Sequence, residues 1–449
     1  MGKYFGTDGI RGKANETLTP SIAFRVGQAL GIHFRNGSER RHRVVIGKDT
    51  RVSGYLFEKM LGGGFLSVGF DVTELGPLPT AGVGAFTESV QADLGVMITA
   101  SHNPYKDNGI KIFTPDGNKL TPEAEARIES LLDSSLDQYL AKGDAIGRAR
   151  RIEDAQPRYI ERVKGSISRK ISFEGLRVVL DCANGAAYKV GPQILREFGV
   201  ELVLIGVDPD GTNINEGVGA YAPARMCAKV REMRADVGIA FDGDADRVVL
   251  SDENGKLIDG DQILGVLARA LANSPRSVQS SSVVGTVMSN TALERYVRSL
   301  QFTFERTDVG DQNVLARLQL IGGKLGGEPS GHIIIPEFGP TSDGPMVALQ
   351  LLSILKASGE KASKALRVFD PMSQILVNVK IKNGENPLDN PYVQEVREAA
   401  EKALGQSGRL VLRASGTEPL IRIMVECDDP ALAKKIADSL ADAVRAAKE

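Results

Sequence analysis

The sequence predicts an α/β fold of three similar domains in series, closed by a separate α+β module, and three observations predict it. An apolar strand, a turn bearing Gly, Asn or Ser, a helix and a second apolar strand recur three times. VVIGKDTRVSG leads to LFEKMLGGGFLSVGF and DVTELG, VVLDCANGAAY to VGPQILREFGV and ELVLIG, and VVGTVMSN to TALERYVRSL and QFTFERTDVG. Near-continuous Val/Ile runs are what strands covered by helices on both faces require, and repetition of the unit argues for domains of one kind. The 449 residues exceed what one core serves, at roughly 150 residues per domain. Helix starts support the layout: Thr19-Pro20, Thr121-Pro122 and Asp429-Pro430 each set a capping oxygen before a proline at the first helical position. The last opens a helix on which Leu432, Ile436, Leu440 and Val444 form one apolar stripe. Before it, SQILVNVKI and GRLVLRASGTEPLIRIMVE read as strands around a loop, and boundaries fall near residues 150, 255 and 370.

Composition removes several classes of function. A net charge of −2 creates no global field toward nucleic acid or an anionic membrane. Cys182, Cys227 and Cys427 are widely spaced with no CxxC pair, which argues against a disulfide framework and a structural zinc site and predicts a reducing compartment. The opening MGKYFGTDGIRG lacks the apolar run of a signal peptide, and nowhere do 18 apolar residues run together. No GxxxxGK[ST] occurs, and no GxGxxG follows a strand and opens a helix, so nucleotide cofactors find no support. The expectation is a cytoplasmic protein whose partner is a small molecule, with no nucleic acid and no membrane.

Four segments are too polar and glycine-rich for their surroundings. In TASHNPYKDNGIKIF, turns alone explain Asn103-Pro104 and Asn108-Gly109. They do not explain Ser101 beside His102 with Lys111 following, which are the parts a hydroxyl needs to attack or leave phosphorus. In VGIAFDGDADRVVLSDENGK, Asp242, Asp244 and Asp246 alternate with Gly243 and Ala245. Alternate side chains of an extended backbone share a face, so three carboxylates converge, and oxygen-only ligands suit Mg²⁺ or Ca²⁺ better than zinc. An EF-hand is excluded because Arg247 stands where the loop needs glycine, although Glu253 falls at the twelfth position. Arg247, fixed beside the metal, reads as a phosphate contact. In GGEPSGH, Glu328 and Ser330 suit vicinal sugar hydroxyls, and His332 suits acid–base work or a phosphate contact. In RASGTEPLIR, Arg413, Ser415, Gly416 and Thr417 make a small anion cradle. One serine nucleophile, one metal site, one sugar loop and one distal phosphate cradle, in four regions, point to a cleft between domains.

These segments in this order, with the opening YFGTDGIRG, resemble the α-D-phosphohexomutase superfamily over the whole chain. One departure is Pro329, where the nearest branch usually has glutamine. The resemblance implies three α/β domains with mixed sheets sandwiched by helices plus a C-terminal α+β domain, around a central cleft. Their spans are 1–152, 153–254, 255–369 and 370–449, carrying in turn the phosphoserine, metal, sugar and phosphate loops. It implies Mg²⁺ held by Asp242, Asp244, Asp246 and an oxygen of phosphorylated Ser101, with Arg11 and Arg247 on the transferring group. Lys111 and His332 become acid–base candidates, with His102 also open for the base, while Arg413, Ser415, Gly416 and Thr417 grip the other phosphate. The implied reaction converts glucosamine 6-phosphate and glucosamine 1-phosphate through a sugar bisphosphate, feeding UDP-N-acetylglucosamine synthesis, with mannose or glucose phosphates or a metal-dependent sugar phosphatase as alternatives. Whether a kinase or a sugar bisphosphate charges Ser101, and whether the chain forms a homodimer, stays open at this stage.

Overall fold

Seven strands form the first sheet of the computed structural model, which describes residues 2–6, 9–35, 40–274, 282–381, 387–405, 407–414 and 420–447. They are β1 (Phe5–Gly6), β2 (Gly9–Lys13), β3 (His42–Lys48), β4 (Phe70–Pro77), β5 (Leu94–Ile98), β6 (Asp107–Phe113) and β7 (Ala149–Arg151), in the order β1-β2-β6-β5-β3-β4-β7. The second sheet holds β8 (Arg177–Asp181), β9 (Glu201–Ile205), β10 (Val237–Phe241), β11 (Val248–Asp252) and β12 (Leu257–Ile258), ordered β12-β11-β10-β8-β9. The third holds β13 (Ser282–Thr286), β14 (Thr303–Thr307), β15 (Leu325–Gly327) and β16 (Ile333–Ile334), ordered β14-β13-β15-β16.

One pattern underlies all three. The first strand of each repeat, β3, β8 or β13, lies between two parallel neighbours, and the second neighbour pairs with an antiparallel strand. The orders β4-β3-β5-β6, β9-β8-β10-β11 and β14-β13-β15-β16 are therefore the same mixed unit. Helices Val52–Ser67, Val190–Arg196 and Thr291–Ser299 supply the crossover that a parallel pair requires. Every residue of β5 and β10 is buried, as the Val/Ile runs predict for strands covered on both faces. The fourth sheet differs: β17 (Ser373–Lys380), β18 (Gly408–Ala414) and β19 (Leu420–Cys427) are all antiparallel, ordered β17-β19-β18. Its β17 alternates exposed residues with half-buried or buried ones, the signature of a sheet with one open face.

The three expected caps form: Thr19 accepts from Ile22 N at 3.3 Å, Thr121 from Ala124 N at 3.3 Å and Asp429 from Ala431 N at 2.9 Å. Two local readings change. The crossover helix of the first repeat starts at Val52, ahead of Leu56, and ends at Ser67, because Gly69 takes a positive φ of 89° that starts β4. Helix Pro391–Leu404, absent from the sequence reading, carries the same signature, with Asn390 accepting from Tyr392 N at 2.9 Å.

One hydrophobic cluster runs through the first three repeats, from Val45 and Val83 through Leu180 and Ile239 to Val283 and Leu352. Helix Gly344–Ser358 packs on β10, β11 and helix Ala155–Lys164, so the third repeat is anchored in the core of the second. The C-terminal module has its own core around Ile421, Ile423, Leu440 and Val444. It meets the third repeat through Glu426, wholly buried, which accepts from Thr291 N at 2.8 Å and Thr291 Oγ1 at 2.7 Å and pairs with Arg409 at 2.6 Å.

Beside this joint, Asp261 accepts from Asn290 N at 2.7 Å, and burial, then the charge of Asp259, raises its carboxyl to about 8. The folded chain keeps a proton there that the unfolded chain releases near pH 3.8, so this group makes stability fall as pH rises from about 4 through about 8. Asp261→Asn keeps the acceptor oxygen and removes the titration. Its melting temperature is expected to fall less than that of the parent between about pH 5 and about pH 9; equal slopes would contradict the assignment.

Candidate active site

The repeated topology puts three loops in equivalent places. Residues 99–106 join β5 to β6, residues 242–247 join β10 to β11, and residues 328–332 join β15 to β16. Each leaves the carboxyl end of a parallel strand, where open α/β sheets bind ligands. The three polar strings are thus one structural position used three times.

Ser101 sits at a positive φ of 50°, a conformation that a non-glycine residue holds only when its surroundings impose it. Arg51 imposes it. Its guanidinium, wholly buried, donates to the carbonyls of Ser101 (2.9 Å), Asn103 (2.8 Å) and Asp107 (3.1 Å) and to that of Pro104. Asp49 neutralises it through Nε at 2.8 Å, and Thr99 Oγ1, which donates to Asp49 at 2.7 Å, accepts from Ser101 N at 2.9 Å. From the second repeat, Asn215 Nδ2 adds bonds to the same Ser101 and Asn103 carbonyls at 2.9 and 3.1 Å. The loop is a template made before any ligand arrives.

Asp242, Asp244 and Asp246 do converge, but by another route than expected. They lie on a turn between β10 and β11, with Ala245 at a φ of 57° and Ala245 N bonded to the Asp242 carbonyl at 3.0 Å. The turn, and not the alternation of an extended strand, gathers them. Gly243 is needed there, since a Cβ on it would stand 2.6 Å from the Ser101 carbonyl oxygen. Ser101 Oγ donates to Asp242 Oδ2 at 2.6 Å, and Arg247 N donates to Asp242 Oδ1 at 3.2 Å. Lys111 Nζ reaches Asp244 Oδ2 at 2.9 Å and Asp246 Oδ2 at 3.0 Å, while Thr80 Oγ1 donates to Asp244 Oδ2 at 2.7 Å. The flanks are strands, and Glu253 points elsewhere, accepting from Ser363 N and Oγ at 2.9 and 2.6 Å.

All three carboxylates are buried, and one oxygen from each lies within 4.8 Å of the others. Burial, then Asp246 and Asp244, push the Asp242 carboxyl far above the usual carboxylate range. Asp246 Oδ1 is buried without a hydrogen bond, with His332 Nδ1 at 3.7 Å and Arg247 Nε at 3.8 Å. An all-oxygen cluster this short of positive charge fits a hard divalent cation.

Of the remaining predicted residues, His102, Arg11 and His332 stand nearest this centre. His102 stacks on Tyr221, ring centroids 4.1 Å apart. Burial, then Arg247 and Arg11, lower its pKa to about 4, so the imidazole is neutral at pH 7. Arg11 lies on β2 opposite Gly109, at the edge of the serine hairpin. His332 bridges Asp246 and, through Nε2 at 3.4 Å, Asp311, which pairs with Lys119 at 2.5 Å. The sugar loop is tied to the metal loop: Val248 N donates to Gly331 O at 3.1 Å, and Ser342 Oγ donates to Asp246 O at 2.5 Å while accepting from Ile333 N at 2.9 Å. Glu328 is buried and accepts from Gly310 N at 2.9 Å, whereas Ser330 Oγ is buried without a hydrogen bond. Arg413, next to the last residue of β18, lies directly opposite Arg422 of β19. Burial, then Arg422, lower its pKa, and the charges of Asp308 and Glu328 act on it in the other sense. Two facing cations are the arrangement an anion would stabilise. Ser415, Gly416 and Thr417 lie outside the described residues.

Several contributors were not singled out in the sequence. Asp49 and Arg51 stand in a polar run after a buried strand, the signal that marks the other loops, in a segment whose sequence also suits a plain turn. Arg422 closes the RASGTEPLIR segment without having been given a role, whereas Thr80, Asn215, Tyr221, Asp311 and Lys119 belong to no motif and are assembled only by packing.

A serine hydroxyl on a preformed turn, against buried carboxylates suited to a divalent cation and flanked by Lys111 and Arg247, defines a class: enzymes that pass a phosphoryl group through their own side chain. Comparison with known proteins gives the family. The phosphoglucomutase/phosphomannomutase profiles match in order: alpha/beta/alpha domain I at residues 2–138, domain II at 157–255, domain III at 259–372 and the C-terminal domain at 376–443. The chain belongs to the phosphoglucomutase/phosphomannomutase family. Phosphoglucosamine mutase of Azorhizobium caulinodans is 53% identical over 99% of this chain and 98% of its own, and that of Methylobacterium nodulans is 52% identical over 100% of both. A phosphoglucomutase/phosphomannomutase family protein from Burkholderia thailandensis superposes with a TM-score of 0.82 at 25% identity, covering 99% of this chain and 97% of its own. Aspergillus fumigatus N-acetylphosphoglucosamine mutase, in complex with GlcNAc-6P and magnesium, shares the fold at a TM-score of 0.71 and 19% identity, covering 99% of this chain and 96% of its own.

Arg51→Met leaves Asp49 buried without its cation and frees the serine loop. It is expected to lose about 3–5 kcal/mol in urea unfolding, and a loss below about 1 kcal/mol would show that the loop is held otherwise.

Proposed function

We propose that the chain acts as a phosphoglucosamine mutase, interconverting glucosamine 6-phosphate and glucosamine 1-phosphate through phosphorylated Ser101 and a sugar bisphosphate. The observation that carries the chemistry is the Ser101 hydroxyl 2.6 Å from Asp242 inside the buried carboxylate trio. The choice of glucosamine is supported by full-length relatives 52–53% identical that bear that name. The metal is Mg²⁺, in keeping with oxygen-only ligands and with the magnesium in the Aspergillus fumigatus enzyme. Asp242, Asp244, Asp246 and a phosphoserine oxygen would hold it; when bound, it would lower the repulsion among these anions and stabilise charge on the serine oxygen.

The chain's own residues supply the rest. In the first half-reaction the Oγ–P bond of Ser101 breaks and a P–O bond to the free sugar hydroxyl forms. His332, set between Asp246 and Asp311, takes the hydroxyl proton and returns it in the reverse sense. Arg11 and Arg247 hold the transferring group, and Lys111 offsets the charge of Asp244 and Asp246. Glu328 and Ser330 hold sugar hydroxyls, while Arg413, with Arg422, Ser415, Gly416 and Thr417, binds the phosphate that is not reacting. The bisphosphate then turns over, and its other phosphate returns to Ser101. A C-terminal module with a separate core can shift against the other three to accept both orientations. Ser101 is 1% exposed, which favours charging by a small sugar bisphosphate in the cleft over a protein kinase.

The same reading divides the chain at 1–152, 153–254, 255–369 and 370–449, and places it in the cytoplasm, feeding UDP-N-acetylglucosamine and peptidoglycan precursors. No helix among the described residues is long and apolar enough to cross a membrane.

Purified protein with Mg²⁺ should turn over glucosamine 6-phosphate in preference to mannose and glucose phosphates, with a phosphoryl group on Ser101 exchanging with the sugar by intact mass. Ser101→Ala should lose at least about a thousandfold in kcat. Preference for mannose or glucose would move the chain to another branch of the family; release of free phosphate without isomerisation would make it a phosphatase.

Arg413→Ala should weaken isomerisation by about tenfold or more through KM, the loss expected for one charge-assisted phosphate contact. An unchanged KM would remove the fourth loop from the site.

A further inference from the structure

We propose that Tyr221 is a positioning residue for phosphoryl transfer, holding His102 by its ring and Arg247 by its hydroxyl so that two side chains from separate loops keep one arrangement around Ser101; the proposal rests on the phosphohexomutase reading. Tyr221 lies between β9 and helix Ala224–Met233, outside all four motifs. Its ring is within 7° of parallel to the His102 imidazole, with centroids 4.1 Å apart. His102 Nδ1 is buried without a hydrogen bond, so stacking is what orients that ring next to Ser101. The Tyr221 hydroxyl accepts from Arg247 Nη1, and the guanidinium carbon lies 5.3 Å from the ring centroid. Arg247 Nε is buried without a hydrogen bond, and its nearest carboxylate oxygen, on Asp246, is 3.8 Å away. Among the described residues, the tether to Tyr221 is therefore the hydrogen bond that sets where this guanidinium points.

The placement explains an otherwise costly feature. Tyr221 is 54% exposed, so its ring contributes little to the core. What it does contribute is order: an untethered arginine explores many rotamers, whereas one fixed in advance meets charge developing on a transferring phosphoryl group without reorganisation.

The test compares Tyr221→Phe, Tyr221→Ala, Arg247→Ala and the double variant Tyr221→Phe/Arg247→Ala, measuring kcat and KM for glucosamine 6-phosphate isomerisation. Tyr221→Phe keeps the stack and loses the tether, so kcat should fall about tenfold with KM within about twofold, the loss of one charge-assisted bond. Tyr221→Ala should fall by a further factor of about three to ten as the stack goes too. In the Arg247→Ala background, Tyr221→Phe should change nothing more, since it acts through that arginine. The unfolding midpoints of Tyr221→Phe and Tyr221→Ala should stay close to that of the parent, as the exposure of Tyr221 requires. Parental kcat in both tyrosine variants, or losses that add fully to those of Arg247→Ala, would overturn the proposal. A parent inactive on every sugar phosphate would overturn the functional reading instead. The crystal structure of Tyr221→Ala would then still decide this one: His102 and Arg247 displaced supports it, and both unmoved refutes it.

Discussion

Three carboxylates withdrawn from water on one turn are the constraint around which this molecule is arranged. Asp242, Asp244 and Asp246 cannot all carry charge in a buried site unless cations stand close by. The chain meets part of that demand with Lys111 from the first repeat and with Arg247 at the end of the turn. His332 from the third repeat stands against the same cluster. The remainder of the demand is what makes the site a cation site. The burial that makes the turn expensive to fold is also what makes a cation and a phosphoryl group welcome there, so stability and chemistry draw on the same charges.

Bringing charges from three repeats to one point needs a frame that cannot slide. The shared core supplies it, since helix Gly344–Ser358 belongs to the third repeat by sequence and to the second by packing. At the site itself the repeats are stitched by direct bonds, Ser101 to Asp242, Thr80 to Asp244 and Val248 to Gly331. Arg51 and Asp49 perform for the serine loop what the core performs for the sheets, converting a strained turn into a fixed one. The C-terminal module stands apart from this rigidity. Its core is its own, and its junction centres on Glu426 at the start of helix Thr291–Ser299. The module proposed to meet the distal phosphate is thus the one with a core of its own, in keeping with a substrate proposed to bind in two orientations.

The sequence alone carried the repeated unit, the end caps and the four polar loops, because each is written in local chemistry: Val/Ile periodicity, Pro after a capping oxygen, carboxylates or glycines where apolar residues surround them. Ser101 and the aspartates were legible for that reason. Helix Pro391–Leu404 carries the same kind of local signal at Asn390-Pro391. The manner in which the aspartates converge was not legible, since i, i+2 spacing suits an extended strand as well as a turn and only the hairpin between β10 and β11 decides between them. Tertiary structure alone chose Arg51, Asn215, Thr80, Tyr221 and Asp311. Their roles depend on partners distant in sequence, 50 residues away for Arg51 and 164 for Thr80, and an arginine after a strand or a tyrosine in a loop looks the same in sequence whether it faces solvent or an active site.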